Sequence, residues 1–255
     1  MNKLSAVIIT FNEEKYLEKC LVSLQGIADE VVIVDSFSTD NTQSIAKKYK
    51  ARIIEQKFLG YVEQKNFAIQ QAQYEYILSL DGDEALSAEL KKSILKAKEK
   101  FEHDVYSFNR LNNYCGQWIK HSNWYPDRKN RLFKKGKAVW KGTNPHDHLA
   151  PVDHTKPFQL QGDLLHWTYD TYEEHYLKIY HFSSISAKAM HKKGKKATWL
   201  DLLIRPFWKF FKNYFIKAGF KDGLDGLWIC YSAALSTFLK YFKLYKIQKA
   251  YEDRI

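Results

Sequence analysis

The chain has 255 residues, enough for one large domain or a domain with an appendage. Hydrophobic residues make up 45% of it, which excludes wholesale disorder. Forty lysines and arginines against 29 acids give a formal charge of +11, which favours an anionic partner: nucleic acid, nucleotide phosphates or an acidic membrane surface.

Leu4 to Thr10 is a continuous apolar run, expected of a strand covered on both faces. It runs into Asn12, Glu13 and Glu14 too soon for a signal peptide. Leu17, Cys20, Leu21 and Leu24 repeat with helical spacing, and Val31 to Val34 forms a second buried strand ending at Asp35. Asp40 and Thr42 stand where a helix cap would. A short strand at 52–54, a helix at 61–72 and a strand at 76–80 follow, and Ser87 caps a helix to about 101. This alternation predicts an α/β fold, a mostly parallel sheet flanked by helices, with ligands beyond the carboxyl ends of the strands. Asn12, Asp35 and Asp81–Asp83 would share that edge.

Strands are expected at 105–109 and 160–166, around a stretch rich in Trp, Tyr, His and Asn. Beyond Lys192 the chain is basic and aromatic, and Pro206 suits a first helical turn. The rings and lysines of 205–215 fit a helix lying on an anionic membrane surface. A further helix is expected from Leu227 to Leu244. The longest uncharged run near the C-terminus, Gly226 to Leu239, has 14 residues. A bilayer span needs roughly 17–25, so no transmembrane helix is expected. Boundaries near 110 and 195 divide the chain into 1–110, 111–194 and a helical extension, 195–255. Cys20, Cys115 and Cys230 make no CxxC pair and no even disulfide set, so a reducing compartment is expected.

The strand at 76–80 ends in Asp81, Gly82, Asp83 and Glu84. Like charges so close repel, so either they point apart into solvent or something positive sits between them. In extended chain, residues i and i+2 project to one side, and Gly82 permits a sharp turn. Asp81 and Asp83 can then converge on one hard cation, leaving coordination positions for phosphate oxygens. Asp and Gly are also ordinary turn residues.

The ordered stretches AVIITFNEEKYLEKCLVSL, EVVIVDSFSTDNT, GYVEQKNFAI and YILSLDGDE together resemble family 2 glycosyltransferases with the A-type (GT-A) nucleotide-sugar fold. RLFKKGKAVWKGTNPHDHL and LLHWTYDTYEEHYLKIYHFSSISAKAM resemble the beta-1,4-glucosyltransferase-like subgroup that builds lipopolysaccharide core. The resemblance implies that 1–110 binds the nucleotide-sugar and that 111–194 holds acceptor and catalytic residues. It implies that Thr10, Phe11, Asn12 and Glu13 line the nucleotide pocket and that Asp35 hydrogen-bonds the uridine. Lys65 and Asn66 would lie near the nucleotide or its diphosphate. Asp81 would reach ribose, sugar or a metal-bound water, and Asp83 would ligate Mg²⁺ or Mn²⁺ directly. The divalent ion would then neutralise the crowded acids. The hydroxyls of Ser36, Ser38 and Thr39 are expected to shape their loop.

Moving a sugar with inversion needs a general base for the acceptor hydroxyl. The resembled proteins commonly show His–Glu where this chain has His146–Asp147, so the resemblance implies Asp147 as base, with His146 or His148 touching metal or phosphate. His166 is a further expected contact to metal or diphosphate, and Arg131 a phosphate or acceptor contact. Trp118, Trp124, Tyr125 and Trp140 are candidates for stacking on sugar faces. The function expected is an inverting, metal-dependent transfer of a hexose, glucose from UDP-glucose, onto a lipid-linked saccharide at the inner face of the cytoplasmic membrane, with no nucleic acid partner. The alternatives are a polyprenyl-phosphate acceptor, or a basic nucleic-acid-binding module without catalysis.

Overall fold

The computed structural model describes residues 2–142, 147–153 and 155–252, with Tyr251 and Glu252 by backbone alone. The chain forms two units: Met1–Leu111 with Pro126–Trp167, and Asn112–Tyr125 with Thr168–Ile255.

In the first unit, β1 (Leu4–Thr10), β2 (Glu30–Asp35), β3 (Arg52–Glu55) and β4 (Tyr76–Asp81) are parallel, in the order β3-β2-β1-β4. Between them run α1 (Leu17–Leu24), α2 (Thr42–Lys48) and α3 (Tyr61–Gln70). Successive strand residues face opposite sides, so β1 feeds two cores. Leu4, Ala6 and Ile8 pack with Leu17, Cys20 and Leu24 of α1, while Val7 packs with Ala68 and Ile69 of α3. Burial on both faces is why the run is apolar throughout.

Past β4 the sheet departs from the expected parallel pattern. β5 (Glu84–Leu86), α4 (Ala88–Glu99), β6 (Val105–Tyr114), β7 (Gln117–Ile119), β8 (Asp127–Lys134), β9 (Ala138–Lys141), β10 (His148–Pro151) and β11 (Phe158–Tyr169) follow in the chain. The sheet continues from β4 as β8-β6-β11-β5, with β8 antiparallel to both β4 and β6, and β11 antiparallel to β5. β9 and β10 form a separate antiparallel pair. Ser87 caps α4 as expected, its hydroxyl accepting the Leu90 N–H at 3.2 Å. β11 crosses the start of α4 at Gly162, whose φ is +92°. A Cβ there would collide with the Leu90 backbone nitrogen.

In the second unit, β7 pairs with the end of β6 in the register Asn113↔Trp118 and Tyr114↔Gln117. α5 (Tyr172–Lys192) is capped by Thr171. α6 (Trp199–Phe211) starts in a capping box between Thr198 and Asp201. That box begins the helix upstream of Pro206, which therefore sits inside α6 and not in a first turn. A π-helical turn (Lys212–Ile216) and a 3₁₀ turn (Gly219–Asp222) lead into α7 (Gly223–Glu252). Buried Asp222 ties the turn to the β7 loop by accepting from the N–H groups of Lys120 and His121 and the hydroxyl of Ser122. Trp124 packs edge-on against buried Tyr114 at 5.6 Å, so this ring belongs to a core, where the sequence suggested a sugar platform. The Tyr114 hydroxyl lies 2.9 Å from Nδ1 of His175. Burial, with the nearby Lys178 charge, lowers the His175 pKa to about 4.

Candidate active site

The parallel registers Thr10↔Asp35 and Ile9↔Asp81 bring the carboxyl ends of β1, β2 and β4 side by side. Asp35 is fully buried there. Its carboxylate accepts from Thr10 Oγ1 at 2.8 Å, Ser38 N–H at 2.8 Å, Ser38 Oγ at 2.5 Å and the Gln43 amide at 3.0 Å. Asn12 takes a left-handed φ of 55°. Its N–H donates to Ser38 Oγ and its Oδ1 accepts the Thr39 N–H at 2.8 Å. Asn12 thus joins two loops and does not cap α1, whose N-cap is Tyr16. The Glu13 N–H donates to Thr42 Oγ1 at 2.7 Å, and Phe11 is 60% exposed at this edge. Gly82 matters for space: a Cβ would lie 2.8 Å from Glu13 Cγ and 3.3 Å from Thr10 Cγ2, so its bareness lets the β4–β5 turn close on the end of β1.

The three crowded acids meet different cations. Glu84 is completely buried, and its oxygens accept from Arg131 Nη2 at 2.6 Å and from the Asp81 N–H at 3.0 Å. Arg110 Nη1 lies 3.6 Å from the same carboxylate. Asp81 accepts from Lys65 at 3.1 Å and from Arg131 at 3.2 Å. Burial would raise the Asp81 pKa, but the charges of Lys65 and Arg131 outweigh it and hold the carboxyl well below the usual range. Arg131 reaches both acids because β8 pairs antiparallel with β4 in the register Leu78↔Leu132. Protein cations therefore relieve the crowding at two of the three carboxylates, which corrects the expectation that a divalent ion does so for all. Asp83 is left to His166, whose Nε2 lies 3.4 Å from its Oδ2. The β5–β11 register His166↔Glu84 and the Trp167 N–H bond to the Asp83 carbonyl at 3.1 Å hold that pair together.

Lys65, 5% exposed on α3, lies between two carboxylates, donating to Asp147 Oδ2 at 2.9 Å as well as to Asp81. Among the described residues, Lys65 is the cation that accompanies Asp147. Both ends of the Asn66 amide bond the backbone of Trp140, fixing β9 to α3. Trp140 is buried, with Lys65 Nζ 4.2 Å and Arg131 Cζ 4.9 Å from its ring, so it carries two cations and offers no open face to a sugar. A cavity of about 240 Å³ opens here, lined by Lys65, Asp81, Arg110, Arg131, Asp147 and His148 among others. Glu84, Arg110 and the role of Trp140 were not foreseen. The available signal was an acid and two arginines within otherwise buried strands, where charges persist only in pairs.

Among the described residues, no set of three or more His, Cys, Asp and Glu side chains forms a metal cage. His146, an expected ligand, lies outside the described residues. The residues present nevertheless fit a divalent cation: Asp83 and His166 offer a carboxylate oxygen and an imidazole nitrogen, a donor pair compatible with Mn²⁺. Asp81 Oδ1, buried and 3.0 Å from Lys65 Nζ, receives no hydrogen bond and could accept one from a metal-bound water. Burial pushes the thiols of Cys20, Cys115 and Cys230 up, so none is an activated nucleophile.

A nucleotide-type strand edge with buried acid–cation pairs defines a class that comparison makes specific. Residues 5–151 match Glycosyl transferase family 2, and the chain belongs to that family. It is a glycosyltransferase with a mixed α/β fold. It is 34% identical to the uncharacterized glycosyltransferase RP128 of Rickettsia prowazekii, over 96% of this chain and 87% of that one. It is 30% identical to the lipopolysaccharide core biosynthesis glycosyltransferase LpsC of Rhizobium meliloti, over 95% and 92%. Among solved structures, Staphylococcus aureus TarS residues 1–349 in complex with UDP aligns at a TM-score of 0.46 and 17% identity, over 99% and 92%.

Proposed function

We propose that this glycosyltransferase moves a hexose, glucose from UDP-glucose, with inversion and with a divalent metal, onto a lipid-linked saccharide such as lipopolysaccharide core, at the inner face of the cytoplasmic membrane. The observation that carries the donor half is the Asp83–His166 pair, the part of the acidic cluster left to a histidine while Lys65 and Arg131 serve its neighbours. Likeness to LpsC over most of both chains supports the acceptor class.

Asp83 and His166 would hold the Mg²⁺ or Mn²⁺, which when bound supplies Lewis-acid stabilisation of the leaving diphosphate. Thr10, Phe11, Asn12 and Glu13 would border the nucleotide, with Asp35 keeping the loop of Ser38 in shape. Asp147 takes the proton of the acceptor hydroxyl. The acceptor oxygen bonds to the anomeric carbon, and the bond from that carbon to the phosphate oxygen breaks, releasing the nucleoside diphosphate. Lys65 orients Asp147 through their 2.9 Å contact, and Arg131 holds Asp81 in place beside it. Asp147→Asn should leave UDP-glucose binding within about threefold of wild type while transfer falls by about 10²–10⁴. Transfer at the wild-type rate would remove Asp147 from this role.

A further inference from the structure

α6 is amphipathic, and its row of large apolar side chains stands exposed. Trp199, Leu203 and Phe207 recur every four residues and are 64%, 61% and 69% exposed, and Phe211 extends the row. No residue of the helix is buried. Its half-buried side is mixed, Asp201, Leu202, Pro206, Lys209 and Phe210, and Arg205, paired with Asp201, lies 5.0 Å from the ring of Tyr241 on α7. The ring of Phe211 lies 5.1 Å from that of Phe215, and Phe215, Ile216 and Leu224 are exposed as well. A monomer rarely shows water so large a contiguous apolar surface without a use for it.

Charge identifies the occupant. Between Lys192 and Lys221 stand nine lysines and arginines and one acid, Asp201, a net +8. A second copy of this face would bring the same positive charge and be repelled. An anionic lipid surface complements both features, with rings at the headgroup–acyl boundary and lysines on the phosphates. No helix among the described residues is long and apolar enough to cross a membrane, so this surface would rest on one leaflet. We propose that α6 and the turns after it form a docking face for an anionic bilayer, Trp199, Leu203, Phe207 and Phe211 entering the interface while Lys212, Lys217 and Lys221 meet lipid phosphates.

The test is flotation of the full chain with vesicles of phosphatidylcholine alone and of phosphatidylcholine mixed with phosphatidylglycerol, without donor or acceptor, so the outcome is independent of the transfer reading. Binding is expected to the anionic vesicles and to weaken with salt. Lys212→Gln, Lys217→Gln and Lys221→Gln together should weaken it by about a hundredfold. Leu203→Ser with Phe207→Ser should abolish it while circular dichroism and melting temperature stay unchanged, since both side chains are exposed. Failure to float with anionic vesicles, undiminished binding by either variant, or a solution dimer closed through this face would each overturn the proposal.

Discussion

Replacing Arg131 by Met tests the charge arrangement at its most buried point. Glu84 is 0% and Arg131 3% exposed, at 2.6 Å from one another. Removing one partner of a buried pair leaves an uncompensated charge and costs about 3–5 kcal/mol. Here Arg110 at 3.6 Å and the Asp81 N–H still serve Glu84, and Lys65 still serves Asp81, so the lower end is expected. About 3 kcal/mol corresponds to roughly a hundredfold faster opening. Hydrogen exchange read by mass spectrometry on peptides covering β4 and β8 measures it within the first unit. Adding Glu84→Gln should restore more than about 1 kcal/mol, because the stranded charge is gone. A second readout is acid. The Asp81 pKa is lowered in the fold, so its stabilisation is present above its ordinary value of 3.8 and is lost as pH falls below that. Arg131→Met removes part of that stabilisation, so the deficit should shrink at low pH. Exchange within tenfold of wild type, or strictly additive effects of the two substitutions, would refute the reasoning.

Two further outcomes are expected. Gly162→Ala, at φ +92° against the Leu90 backbone, should cost about 2–5 kcal/mol by combining strain with a clash, and an unchanged melting temperature would count against that crossing. His175 is depressed from 6.5 to about 4, so the unfolded chain takes up its proton first as pH falls. Stability of the second unit should drop by about 3 kcal/mol between pH 6.5 and 4 and level off below, and His175→Gln should flatten that slope in urea titrations followed by helical circular dichroism.

The parallel half of the sheet was legible because both faces are buried: a run such as Leu4–Thr10 has no polar side to blur it. β8 was not, since DRKNRLFK holds charges that in the fold are consumed by Asp127–Arg110 and Arg131–Glu84 pairs. β5 has three residues, too few for any period to emerge. The start of α6 was written in Thr198 and Asp201, a stronger signal than Pro206. At the site, Asp81, Gly82 and Asp83 stood out by adjacency. Their cations did not, because Lys65 and Arg131 come from 16 and 50 residues away and reach Asp81 only through α3 and the β4–β8 pairing. Hence the acids were seen and the metal was given the whole task of neutralising them.

The division of labour within that cluster is tested most directly by Mn²⁺ titration followed by electron paramagnetic resonance, with and without UDP. UDP should enhance Mn²⁺ binding, and Asp83→Asn should weaken it by at least about tenfold, while Asp81→Asn, whose partners are Lys65 and Arg131, retains most of it. Equal binding by wild type and Asp83→Asn would contradict this division.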